Sequence, residues 1–202
     1  MDNFNLHPGT IIMLNGASSS GKTSILEELQ SILPQPYLNA GIDKIIWMLP
    51  KRYLDRPLWD EVLGLGTRPG EVGITLFSGM HHAIAGLARS GNFVIADHVL
   101  VEPAWLWECS RLFADLYAFL IGIHCPLEVL EQREGARKDR TLGQARAQFP
   151  LVHRHRIYDF EVDTSKFSAW ECARQISEFI LSQPTPIAFP GLYETQKYRR
   201  MI

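Results

Sequence analysis

Eight residues, Gly16-Ala17-Ser18-Ser19-Ser20-Gly21-Lys22-Thr23, follow the pattern G-x-x-x-x-G-K-[ST]. Its glycines, Gly16 and Gly21, allow backbone conformations that other residues resist, so that the amides can converge on phosphate oxygens. A helix opening at Lys22 would add free N–H donors and a favourable dipole. Lys22 is then placed to reach the β- and γ-phosphates, and the Thr23 hydroxyl to ligate Mg2+. The chemistry expected of Gly16 to Thr23 is therefore retention of the phosphates of ATP or GTP. The alternative is a flexible Gly/Ser turn.

Three further groups fit that chemistry. Asp97 ends the apolar run Phe93-Val94-Ile95-Ala96. A carboxylate there can hold Mg2+ directly or through water, although a strand-ending Asp is also a common turn former. Arg133, Arg137 and Arg140 fall at i, i+4 and i+7, on one face if a helix continues through them. Such a face can stabilise charge on a moving phosphoryl group once a lid closes. It can equally be a solvated face paired with Glu131, Glu134 and Asp139. Asp43 follows a short second strand, where it could take a proton from an acceptor hydroxyl or cap a helix from Lys44 onward. His98, beside Asp97, is either a substrate contact or a structural histidine.

The elements that must position these groups are legible as patterns. Continuous apolar runs at Thr10–Asn15, Phe93–Asp97 and Tyr117–His124 predict strands buried on both faces. Tyr37–Gly41 and Asp159–Asp163 add two shorter strands. Helical spacing is read over Thr23–Leu33, Ile74–Ala88, Trp105–Leu112, Leu127–Arg137, Leu142–Phe149 and Ser168–Leu181, with a helical turn at Lys44–Leu49. Alternating strands and helices predict an α/β protein with a mostly parallel sheet of five strands. The segment 50–73, rich in Pro, Gly and charge, reads as a surface excursion of the kind used for acceptor loops. Residues 1–182 read as a single domain with a lid at about 133–149, and 183–202 as an extension carrying Pro184, Pro186 and Pro190.

Composition narrows the function classes. The 202 residues are 46% hydrophobic and 21% charged, with a formal net charge of -2. That balance shows no electrostatic footprint for nucleic acid. No apolar run reaches the ~20 residues of a membrane span. Cys109, Cys125 and Cys172 are odd in number and widely spaced, so neither a disulfide framework nor a zinc site is expected. The amino terminus does not read as a signal peptide, and the expected location is cytoplasmic. His81-His82 and His153-Arg154-His155 have no third metal ligand and read as surface or supporting groups. Trp47, Trp59, Trp105, Trp107 and Trp170 read mostly as packing, with an acceptor pocket as the alternative.

Taken together, these segments resemble the chloramphenicol phosphotransferase family of P-loop kinases. The stretches that carry the resemblance are Ile12 to Thr23, Gly41-Ile42-Asp43, Arg133-Glu134-Gly135-Ala136-Arg137-Lys138-Asp139-Arg140 and Tyr158-Asp159-Phe160-Glu161-Val162-Asp163-Thr164. The resemblance covers about Ile11 to Ile180. It implies a three-layer P-loop NTPase fold like that of nucleoside monophosphate kinases, and transfer of the ATP γ-phosphate to an alcohol of an antibiotic. It implies that Asp43 matches the catalytic base and that Arg133, Arg137 and Arg140 belong to the lid, and it is compatible with a homo-oligomer. The leading expectation is an ATP- and Mg2+-dependent O-phosphotransferase for a small-molecule alcohol. A kinase for an endogenous metabolite or nucleotide is the second. A nucleotide-dependent regulator is the third, although the Asn-Lys-x-Asp motif of guanine-specific switches is absent from the sequence.

Overall fold

The computed structural model describes residues 7–55, 62, 67, 69–137 and 142–201. Along the chain run β1 (Ile11–Asn15), α1 (Lys22–Ile32), β2 (Leu38–Asn39), α2 (Ile42–Ile46), a 3-10 turn (Lys51–Tyr53) and α3 (Glu71–Arg89). They are followed by β3 (Val94–His98), α4 (Pro103–Phe113), β4 (Ala118–His124), α5 (Leu127–Ala136), α6 (Gln144–Val152), β5 (Phe160–Asp163), α7 (Ala169–Leu181) and α8 (Ala188–Met201).

The five strands form one parallel sheet in the order β2-β3-β1-β4-β5. β1 is central, and its residues alternate between two cores: Ile11 and Met13 face one helical layer, Ile12 and Leu14 the other. A period of two with apolar residues on both faces requires helices on both sides. α1 and α7 supply one layer, and α3, α4 and α8 the other. The result is the three-layer α/β arrangement expected from the sequence. Register sets the site, because Leu14 pairs with Asp97 and Asn15 with His98. The loop leaving β1 therefore emerges beside Asp97, at the carboxyl edge where open α/β sheets bind ligands.

Several boundaries differ from the sequence reading. α3 starts at Glu71 rather than Ile74, with an acidic residue in its first turn. Gly73 lies inside it, at a position with no room for a side chain, since a Cβ there would sit 1.9 Å from the Val62 carbonyl oxygen. Trp59, Arg56 and Arg68 of the predicted excursion lie outside the described residues. α5 stops at Ala136, and Arg137 is extended at φ −93 and ψ 131. The expected helical face of Arg133, Arg137 and Arg140 is thus not formed, and Arg140 lies outside the described residues.

The residues beyond 183 carry a further helix. Ala188, Phe189 and Leu192 of α8 are buried, and the Phe189 ring meets Phe113 edge-on at 5.2 Å. Asp159 ties this helix to the sheet, accepting from the amides of Ile187 (2.6 Å), Ala188 (3.0 Å) and Leu120 (2.8 Å). Among the described residues no helix is long and apolar enough to cross a membrane.

Candidate active site

Asn15, the last residue of β1, anchors the phosphate-binding loop from below. Its side-chain oxygen accepts from the Leu100 amide at 2.8 Å, and its nitrogen donates to the Val152 carbonyl and the Tyr158 hydroxyl at 2.9 and 2.7 Å. The loop then turns back on itself through Ser19 at φ 63 and Gly21 at φ 89, both left-handed. Gly16 has no room for a side chain, since a Cβ would lie 2.6 Å from the Ile123 carbonyl oxygen. The Ser19 and Ser20 hydroxyls are buried without a partner among the described residues. Strained backbone, a helix amino terminus and unpaired donors suit an anion in the hollow. Lys22, almost fully buried, bridges the loop by donating to the Gly16 and Ala17 carbonyls at 2.8 and 2.7 Å.

Asp97 faces this loop. Its Oδ2 accepts from the Thr23 hydroxyl at 3.2 Å, and its Oδ1 accepts from the Ile42 amide at 3.2 Å. Burial pushes its pKa up, opposed by the positive charge of Lys22 and raised further by the neighbouring Asp43. Gly41 permits the approach, because a Cβ on it would fall 2.1 Å from Oδ1. Thr23 and Asp97 are hard oxygen donors, the kind Mg2+ takes in ones and twos beside phosphate oxygens.

Asp43 lies in the first turn of α2, whose N-cap is Gly41. The helix begins at Ile42, so Asp43 is not a cap for a helix starting at Lys44. Its half-buried side chain lines a cleft with Ser18, Ser19, Lys22, Thr23 and Asp97. The opposite wall is apolar: Ile42, Ile46, Phe77, Val99 and Trp105. Of the tryptophans, only Trp105 lines this cleft among the described residues. Trp47 and Trp170 are 65% and 51% exposed and away from it.

The arginines separate. Arg137 lines the cleft. Arg133 instead donates to the Thr164 hydroxyl at 3.0 Å and carbonyl at 2.8 Å, while that hydroxyl donates to the Ser20 carbonyl at 2.9 Å. Arg133 thus braces the phosphate loop from behind. Both arginines line a second cleft with Ser19, Gly21, Ser24, Thr164 and Phe167. Glu134, which the alternative reading paired with arginine on a solvated face, is buried and accepts from the amides of Gly143 (2.8 Å) and Ala145 (2.9 Å). It caps α6, and Glu131 clamps the same helix through Arg146 at 2.6 and 2.9 Å. Gln148 of α6 accepts from the Ser18 amide at 2.7 Å, so this helix lies directly over the loop.

Sequence reasoning missed a buried relay behind the cleft. The Val99 amide donates to His98 Nδ1 at 2.7 Å, which leaves His98 Nε2 to donate to His81 Nε2 at 2.8 Å. His81 Nδ1 then carries the proton for Glu108 Oε2 at 2.7 Å, and Ser78 donates to the other oxygen. Burial drives both histidines toward the neutral form, His98 most strongly. His81 is fully buried, so of the two readings, surface or supporting group, it is the supporting one. The His98 ring also packs against Phe77 and Trp105. The only sequence signal was a strand-ending histidine and a helical His-His pair.

Comparison with known proteins agrees with this geometry. The family profile described as chloramphenicol phosphotransferase-like protein matches residues 9–181. A Mycobacterium tuberculosis (strain H37Rv) protein named "Putative O-phosphotransferase Rv2636" is 33% identical over 197 residues, covering 91% of this chain and 88% of that protein. Among solved structures, a sugar kinase from Janibacter sp. HTCC2649 superposes with a TM-score of 0.64 at 12% identity, covering 91% of this chain and 96% of that one. A shikimate kinase from Acinetobacter baumannii does so at 0.58 and 17%, covering 87% and 93%. At those identities the two structures establish the fold.

Proposed function

Since the chain belongs to the chloramphenicol phosphotransferase-like family, and so is a P-loop kinase of small molecules, we propose that it moves the γ-phosphate of ATP to a hydroxyl of a neutral, largely apolar alcohol, a chloramphenicol-like antibiotic first. The observation that carries this reading is one cleft that holds Lys22, Thr23, Asp97 and Asp43 against the apolar wall of Phe77, Val99 and Trp105. Gly16 to Thr23 hold the β- and γ-phosphates, with Lys22 as the charged contact. Thr23 and Asp97 are the residues that would hold Mg2+, which when bound neutralises phosphate charge. Asp43 accepts the proton of the acceptor hydroxyl as that oxygen attacks the γ-phosphorus and the bond from phosphorus to the β,γ-bridging oxygen breaks, releasing ADP. Arg137 supports the charge on the transferring group. Arg133 keeps the loop and the second cleft in shape, and that cleft is the place for the nucleotide base.

An ATP-consumption screen against chloramphenicol, hydroxylated metabolites and nucleosides tests the reading. Acceptor-dependent turnover with an uncharged aromatic or aliphatic alcohol is expected. Hydrolysis that no acceptor accelerates would favour a nucleotide-dependent regulator and overturn it.

A further inference from the structure

Gln144 is the first residue of α6 and is buried, at 5% exposure. It lines the cleft of Lys22, Thr23 and Asp97, and its side chain forms no hydrogen bond with any described residue. A polar side chain that the described residues leave unbonded in a cleft lined by phosphate-binding groups is available to a ligand there. The placement is rigid. Glu134 accepts from the amides on either side of Gln144, those of Gly143 and Ala145, so the backbone carrying it is fixed from the adjoining helix. One turn further along the same face, Gln148 is bonded to the Ser18 amide of the phosphate loop. That bond sets α6 above the loop, with Gln144 in the wall of the same cleft.

We propose that Gln144 is a binding residue for the terminal phosphoryl group of the nucleotide, donating its side-chain N–H to a γ-phosphate oxygen. Gln148 fixes the height of the helix and Glu134 its rotation. The consequence is discrimination between triphosphate and diphosphate: the donor engages a group that ATP has and ADP lacks. A neutral donor suits this place, because Lys22 and Arg137 already supply positive charge to the same cleft. This inference rests on the reading of Gly16 to Thr23 as the β- and γ-phosphate site.

Isothermal titration of the full-length protein with ADP and with a non-hydrolysable ATP analogue, both with Mg2+, separates the two readings. Gln144→Leu should weaken the analogue about tenfold or more, the loss of one hydrogen bond to a charged group, and leave ADP within about twofold. Gln144→Glu should weaken the analogue further by setting a carboxylate against the phosphate. Equal weakening of both nucleotides, or no change in either, would overturn the role of Gln144. Lys22→Ala serves as the control for the underlying site: if it left both affinities intact, the phosphate-site reading itself would fail, whatever Gln144 does.

Discussion

Replacing His81 with alanine should cost this protein a large part of its stability, and the relay behind the cleft supplies the magnitude. His81 and His98 are both fully buried, and His98 Nε2–H has His81 as its acceptor at 2.8 Å. Alanine leaves that donor unpaired in an apolar surround, a cost of about 1–3 kcal/mol. It also opens a void the size of an imidazole, which adds about 1–2 kcal/mol. A total of about 2–5 kcal/mol is expected, against the ~5–15 kcal/mol typical of folded domains. Glu108→Gln should cost under about 1 kcal/mol, because a carboxamide oxygen still accepts from His81 Nδ1 and the site is partly exposed. Urea unfolding followed by circular dichroism measures both. If the two variants were equally destabilised, or His81→Ala lost less than about 1 kcal/mol, the tautomer assignment running from Val99 to Glu108 would be wrong.

Other perturbations have equally definite outcomes. Gly41→Ala needs no unusual backbone angle, but its Cβ would displace Asp97 Oδ1, so Mg2+-dependent nucleotide affinity should fall while far-ultraviolet dichroism is unchanged. Titration calorimetry with and without Mg2+ checks this. Glu134→Ala removes two charge-assisted bonds to the start of α6 and should cost about 2–4 kcal/mol, visible as faster amide exchange at 143–147. Acid should destabilise the fold early. Burial, joined by the nearby His124, His155 and Lys22, lowers His153 to about 3, burial lowers His155 to about 4 against the opposing charge of Glu161, and burial lowers His81 and His98 as well. The unfolded chain therefore binds these protons first. Stability is complete above the unfolded value of ~6.5 and is lost as pH falls toward the folded values, by up to ~1.4 kcal/mol per pH unit for each histidine. Urea midpoints between pH 7 and pH 5 should fall steadily, whereas a flat profile would contradict the buried, neutral state of these rings.

How much of this was legible beforehand depends on the range of each interaction. Strands such as Ile11–Asn15 and Ala118–His124 are continuous apolar runs, and the phosphate loop is a contiguous motif, so local patterns reveal both. Asp97 stood out because it ends such a run, and Asp43 because it follows the short second strand. The true start of α2 could not, since Gly41 serves as N-cap without a side-chain signal. The arginine spacing misled because helix periodicity assumes continuation, and α5 turns into extended chain at Arg137. α8 escaped because its inward residues Ala188, Phe189 and Leu192 make too short a stripe among polar neighbours. The roles of Glu134, Gln148, His81 and Asp159 rest on partners 9 to 130 positions away in the chain, which no local pattern encodes.

The proposed chemistry turns on Asp43 as the group that takes the acceptor proton. Single-turnover transfer of labelled γ-phosphate to an acceptor found in the screen, measured for Asp43→Ala beside ATP affinity by calorimetry, tests it most directly. The transfer rate should fall by roughly 10²–10⁴-fold while ATP binding changes little. Loss of ATP affinity with the transfer step otherwise intact would contradict the account.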